Sequence, residues 1–295
     1  MASGAVPGRL STLLKYSGRP TMRVGGTLVT RYSAAEVVDL VARQLTDQRL
    51  PQLALGSVNL DHLHHFRPTR FDAGGPTTWL WLADGAPVAW RGARLSGRPW
   101  PRVTGADLLE PILEVCADQH ARVGFLGGQA DTHARLAEIL AHRHPLAPSP
   151  EFWSPARRDV ECPTASARLA AQVRDVGVRV LVVGLGKPRQ EQWIQRYAAA
   201  TGAAVVLAFG ASADFLAGKV NRAPRFYREN GLEWLYRLRM EPRRLARRYL
   251  VQGPPALLRL RRAVLETGVT DPETEPDTVR PSATTISPEL PGRRP

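Results

Sequence analysis

The sequence predicts an α/β protein, a parallel sheet flanked by helices. Three observations carry this. Short apolar runs ending in Gly, Asp or Asn alternate with amphipathic stretches of about 10–15 residues, the spacing of βαβ units. Hydrophobic residues make up 43% of the 295, enough for a sizeable core. The only two cysteines, Cys116 and Cys162, exclude a disulfide framework and argue against a thiolate zinc site.

Taken in order, Ser33 and Glu36 have capping-box spacing and open a helix to about Gln44. Gln52–Ser57 reads as a strand, and Trp79–Ala83 as another, ending at Asp84-Gly85. Asp107–Gln119 has helical periodicity. Arg122–Leu126 is a strand that stops at Gly127-Gly128, and Asp131–His142 is the helix after it. The alternation continues with helix Ala165–Val176, strand Arg179–Val183, helix Gln190–Ala200 and strand Ala203–Phe209. After Arg222 the pattern becomes helical throughout, over Arg225–Arg239, Pro242–Val251 and Pro254–Thr267.

The charge is uneven. The net charge is +13, and only Lys15, Lys187 and Lys219 are lysines among the 40 basic residues. Twelve arginines face three glutamates between Arg222 and Arg262, with aromatic residues interleaved. From Gly268 the chain turns acidic and proline-rich, the composition of a disordered tail. No apolar run approaches the roughly 18 residues of a spanning helix, and the first twenty residues lack an apolar signal core. The expectation is a cytoplasmic protein that meets an anion.

In an open parallel sheet, ligands sit beyond the C-terminal ends of the strands. That rule selects Ser57-Val58-Asn59, Asp84-Gly85, Gly127-Gly128, Gly184 to Glu191 and Gly210 to Asp214. Glycine lets backbone N–H groups approach a phosphate, and a following helix start adds a favourable dipole. The Gly184 loop lacks the third glycine of a dinucleotide fingerprint and the Lys-Ser/Thr of a P-loop.

The same loops carry a resemblance. Ser57-Val58-Asn59, Ala83-Asp84-Gly85, Arg102 to Leu108, Gly127-Gly128, Gly184 to Glu191, Asp214 to Pro224, Gly231 to Leu238 and Glu241 to Leu250, in that order, resemble the WecG/TagA/CpsF family of bacterial glycosyltransferases. The resemblance implies a Rossmann-like core and inverting transfer from a UDP-sugar to a polyprenyl-diphosphate-linked sugar. It also implies a basic C-terminal appendage at the membrane. The expected divisions are a flexible lead over 1–22, the core over 23–221, the Arg-rich helical appendage over 222–267 and the tail over 268–295.

The resemblance assigns roles residue by residue. Asp84 matches the catalytic base, and Arg102 the group that neutralises the leaving diphosphate. Substrate contacts fall to Ser57, Asn59, Asp107, Gly127, Gly128, Gly184, Gly186, Gln190, Glu191, Asp214 and Arg222. Arg237, Arg243, Arg244, Arg247 and Arg248 fall to the membrane or the lipid diphosphate. The sequence has no Asp-x-Asp, so a metal-independent reaction without a cofactor is expected, the UDP-sugar being substrate. An anionic membrane surface is an expected partner, nucleic acid is not, and a homo-oligomer stays open. Three positions depart from the family pattern: Pro87, Ala213, and Lys187, where a small uncharged residue is usual.

Two alternatives remain at this level. The pI of about 10.8 and the Arg-rich helices also suit a nucleic-acid-binding protein. The strand-end loops also suit another nucleotide-cofactor enzyme on a similar sheet. His62, His64 and His65 lie close together without further legible metal ligands, and Trp79 and Trp81 alternate as strand residues facing a core.

Overall fold

A computed structural model describes residues 18–66, 77–219, 223–224, 226–227 and 233–266. The tail expected from Gly268, most of the expected flexible lead and Arg222 lie outside the described residues.

An antiparallel hairpin opens the fold, β1 (Thr21–Val24) and β2 (Thr27–Thr30), turning through Gly25 and Gly26, both at positive φ. There follow α1 (Ala34–Thr46), β3 (Leu53–Val58), α2 (Leu60–His65), β4 (Thr78–Ala83), α3 (Ala86–Ser96), α4 (Gly105–Asp118) and β5 (Val123–Gly127). Next come α5 (Ala130–Arg143), β6 (Glu151–Trp153), α6 (Arg157–Glu161), α7 (Pro163–Asp175), β7 (Val180–Gly184), α8 (Arg189–Tyr197), β8 (Val205–Leu207) and α9 (Gly210–Leu216). The C-terminal segment forms α10 (Glu233–Met240), α11 (Pro242–Ala246), a π-helical turn over Arg247–Gln252, α12 (Gly253–Arg261) and β9 (Val264–Leu265).

The strands make one sheet in the order β6-β5-β7-β8-β3-β4-β2-β1-β9. The six strands from β6 to β4 run parallel, β2 joins β4 in parallel, and β1 and β9 add antiparallel at the edge. Successive residues of β4 alternate between two cores, as a pleated strand requires. Trp79, Trp81 and Ala83 pack on one face with residues of α2, α3, α7, α8 and α12. Leu80 and Leu82 pack on the other with residues of α1, α4 and α5. The result is a helix–sheet–helix sandwich whose parallel strands are buried on both sides. Parallel Trp79 and Trp81 rings stack at 4.4 Å inside the first core.

Several details differ from expectation. The hairpin, α2, α3, β6 and α6 add to the predicted series. Pro87 is accommodated because it sits in the first turn of α3, where its missing N–H has no helical partner. The last expected helix stops at Arg261, and Val264 and Leu265 pair instead with Arg23 and Met22. The Arg-rich segment is thereby joined to the core. Ala256, Leu260 and Ala263 are buried in the first core, and Arg259 Nη1 donates to Leu63 O at 2.6 Å.

Candidate active site

A cleft of about 460 Å³ opens at the C-terminal ends of β3, β4, β5, β7 and β8. Its floor is backbone. Gly127 has φ 92°, and a Cβ there would lie 2.5 Å from Gly184 O. Gly184 and Gly210 abut each other backbone to backbone, so three strand ends meet without side chains. Gly127, Gly128, Gly184 and Gly186 all line the cleft.

Asp84 follows β4 directly, and its N–H donates to Val58 O at 2.9 Å. Asp84 Oδ2 accepts from Asn59 Nδ2 at 2.9 Å and from Ser57 Oγ at 3.2 Å. Asn59 is itself fixed, because its Oδ1 caps α2 by accepting the His62 N–H at 3.0 Å. Neighbouring strand ends thus converge on one carboxylate. Oδ1 of Asp84 has no hydrogen-bond partner among the described residues.

The remaining expected residues divide into three groups. Gln190 and Asp214 line the cleft. Gln190 is buried, with its Nε2 donating to Ala208 O and Glu191 Oε1, both at 3.0 Å. Asp214 Oδ1 accepts from Thr132 Oγ1 at 3.3 Å. Arg102 stands at the rim. The Val103 N–H donates to Ala83 O at 2.8 Å, and Arg102 Nη1 reaches Glu233 Oε2 at 3.4 Å.

Two expected contacts lie away from the cleft wall. Asp107 closes a capping box, accepting from Thr104 Oγ1 at 2.7 Å at the start of α4. Glu191 is wholly buried behind Gln190, and burial pushes its carboxyl pKa up. Both residues support lining groups rather than line the cleft themselves.

The sequence reading gave no role to Asp61, Thr132, His133, Lys187 or Glu233, all of which line the cleft. His133 Nε2 donates to Gly127 O at 2.8 Å and so fixes the loop after β5. The legible signal for Thr132 and His133 was their place in the helix after Gly127-Gly128. Glu233 lay in the Gly231 to Leu238 stretch of the resemblance, distant in sequence from the strand-end loops that it joins.

The histidine cluster resolves into separate environments. His62 is fully buried against Phe66 and Trp81, and burial holds its pKa well below the usual histidine range. His65 pairs with Asp61 at 3.6 Å. No group of three or more His, Cys, Asp or Glu among the described residues is arranged to hold a metal ion.

In the C-terminal segment Arg239, Arg243 and Arg247 are exposed, beside exposed Trp234, Leu235, Met240 and Leu250. The side chains of Arg237, Arg244 and Arg248 lie outside the described residues. No helix among the described residues is long and apolar enough to cross a membrane.

The model of the glycosyl transferase WecG/TagA/CpsF family matches residues 22–269, spanning both the cleft and the Arg-rich segment. The chain belongs to this family. As a WecG/TagA/CpsF member it is a glycosyltransferase of cell-surface polymer synthesis. The family in general pairs a sugar-nucleotide donor with a lipid-linked acceptor.

Proposed function

We propose that this WecG/TagA/CpsF protein moves a sugar, with inversion, from a UDP-sugar to a polyprenyl-diphosphate-linked sugar. The sugar is an N-acetylmannosamine-like unit, its uronic acid or a hexose. The observation that carries the reading is the Asp84 carboxylate, fixed by Asn59 and Ser57 at the cleft wall with one oxygen open.

Inversion takes one displacement. The acceptor hydroxyl oxygen bonds to the anomeric carbon as the bond from that carbon to the diphosphate oxygen breaks. Asp84 Oδ1 takes the hydroxyl proton, and UDP departs with the electron pair. A departing diphosphate needs positive charge, which Arg102 supplies on leaving Glu233. No divalent ion or other cofactor is required in this scheme, in keeping with the absence of Asp-x-Asp from the sequence. Ser57 and Asn59 hold the base. The glycine floor and the Gln190 and Asp214 side chains hold the donor, with Arg222 of the C-terminal segment completing its contacts.

The acceptor's lipid stays in a bilayer, so the enzyme must reach that surface. The exposed Arg243 and Arg247, with Arg237, Arg244 and Arg248 of the same C-terminal segment, suit an anionic leaflet, and the exposed apolar residues suit its interface. The protein in this reading is cytoplasmic and peripheral at the inner face of the cell membrane.

The test is UDP release from a panel of UDP-sugars with a short-chain polyprenyl-diphosphate-linked sugar. Acceptor-dependent release from one donor supports the reading. Absence of release across the panel, with no stabilisation of the protein by UDP, overturns it.

A further inference from the structure

Four carboxylates line the cleft, Asp61, Asp84, Asp214 and Glu233, and Lys187 is the only lysine or arginine among its described lining residues. A donor that carries a diphosphate brings more negative charge into this space, and like charges at such distances repel. Some cation must offset it close to the reacting carbon.

Lys187 is placed to do so. It sits on the loop between β7 and α8, and its Nζ donates to Ser57 O at 2.9 Å. The hydroxyl of the same Ser57 holds Asp84. The ammonium is therefore anchored one residue from the proposed base. An ammonium has three N–H donors, and Ser57 O takes one. Glu191 Oε1, at 3.9 Å, lies beyond hydrogen-bond reach. The lysine side chain is only 14% exposed, so its charge is poorly screened by water.

We propose that Lys187 is a donor-binding residue that grips an oxyanion of the sugar nucleotide close to the anomeric carbon. Two oxyanions meet that description, the diphosphate on the anomeric carbon itself and the carboxylate of a uronic acid, carried on C5 just across the ring oxygen. They share one chemistry, a charge-assisted hydrogen bond from an ammonium to oxygen. Lys187 on Ser57 and Arg102 on Glu233 stand on different loops, so in this reading the two cations divide the donor's charge between them. The inference rests on the UDP-sugar reading above.

Binding of uridine, UDP, UDP-glucose and UDP-glucuronate is measured by calorimetry on wild type, Lys187→Met and Lys187→Arg, each checked for an unchanged melting temperature. A charged hydrogen bond of this kind corresponds to about tenfold or more in affinity. If the diphosphate is the target, Lys187→Met weakens UDP and both UDP-sugars about tenfold while uridine is unchanged. If the carboxylate is the target, only UDP-glucuronate weakens. In either case Lys187→Arg recovers most of the loss. Equal changes for all four ligands, or none, overturn the role of Lys187 while the UDP-sugar reading stands. A wild type that binds no uridine nucleotide overturns both. Should Lys187→Met melt early, Lys187→Gln takes its place: selective weakening of the diphosphate-bearing or carboxylate-bearing ligands keeps the proposal, and uniform change or none ends it.

Discussion

Asn59 Nδ2 donates to Asp84 Oδ2 at 2.9 Å, while Oδ1 of the same amide accepts the His62 N–H at 3.0 Å. One side chain therefore both starts a helix and aims a carboxylate. Asp84→Asn keeps this frame, because the new amide oxygen still accepts from Asn59, but removes the base. Turnover is expected to fall by about 10²–10⁴-fold with UDP affinity near wild type. Near wild-type turnover in steady-state assays removes Asp84 from the mechanism.

The ion pair between Arg102 and Glu233 leads to a second expectation. Transfer survives EDTA, and Arg102→Ala loses about 10²-fold or more in turnover that added magnesium does not restore. Abolition by EDTA with rescue by manganese would assign the diphosphate to a metal instead.

At the exposed basic face, each arginine near an anionic leaflet contributes about 1 kcal/mol. Reversing Arg243 and Arg247 to Glu is expected to lower partitioning onto anionic vesicles by about 30-fold or more. Wild-type binding falls steeply with salt and is weak on neutral vesicles. Co-sedimentation reads all three. An unchanged partition coefficient in the double variant rules out this face as the contact.

Glu36 offers a check on the fold by pH. Burial pushes its carboxyl up, but the Ser33 N–H, the Arg19 guanidinium and the Ser33 hydroxyl together outweigh this and hold its pKa at about 2. A carboxyl depressed in the folded state stabilises above its unfolded pKa of about 4.3, and that stabilisation is lost as pH falls toward 2. Glu36→Gln is therefore expected to lower the urea midpoint at pH 6 and to match wild type near pH 2. A difference of equal size at both pH values excludes this origin.

Most of the alternating elements from Ser33 to Phe209 were legible because buried strands are continuous apolar runs and helices carry one apolar stripe, but α2, α3, β6 and α6 in the same range were not. Ser33 and Glu36 form the capping box their spacing announces. The β1–β2 hairpin was not legible, since four-residue strands are too short for alternation to stand out. Nor was β9, whose two residues become a strand only through a partner far away in sequence. The site followed the same division. Strand order located the loops, so Ser57, Asn59, Asp84 and Gln190 fell where expected. Position in a loop does not say which way a side chain points. Gln190 and Glu191 are neighbours on α8, about 100° apart around its axis, and only the first faces the cleft. Asp107 sits at the third position of α4, where the backbone claims its carboxylate.

The pairing of Met22 with Leu265 joins residues at opposite ends of the described chain. A contact so remote can form only after the residues through Leu265 have left the ribosome. Until then β1 presents a free edge, the kind of surface that recruits a strand from another copy. The centre of the sheet waits as well, because β3 closes on β8 only once Leu53 can meet Val205, but the outermost seam is the last to form.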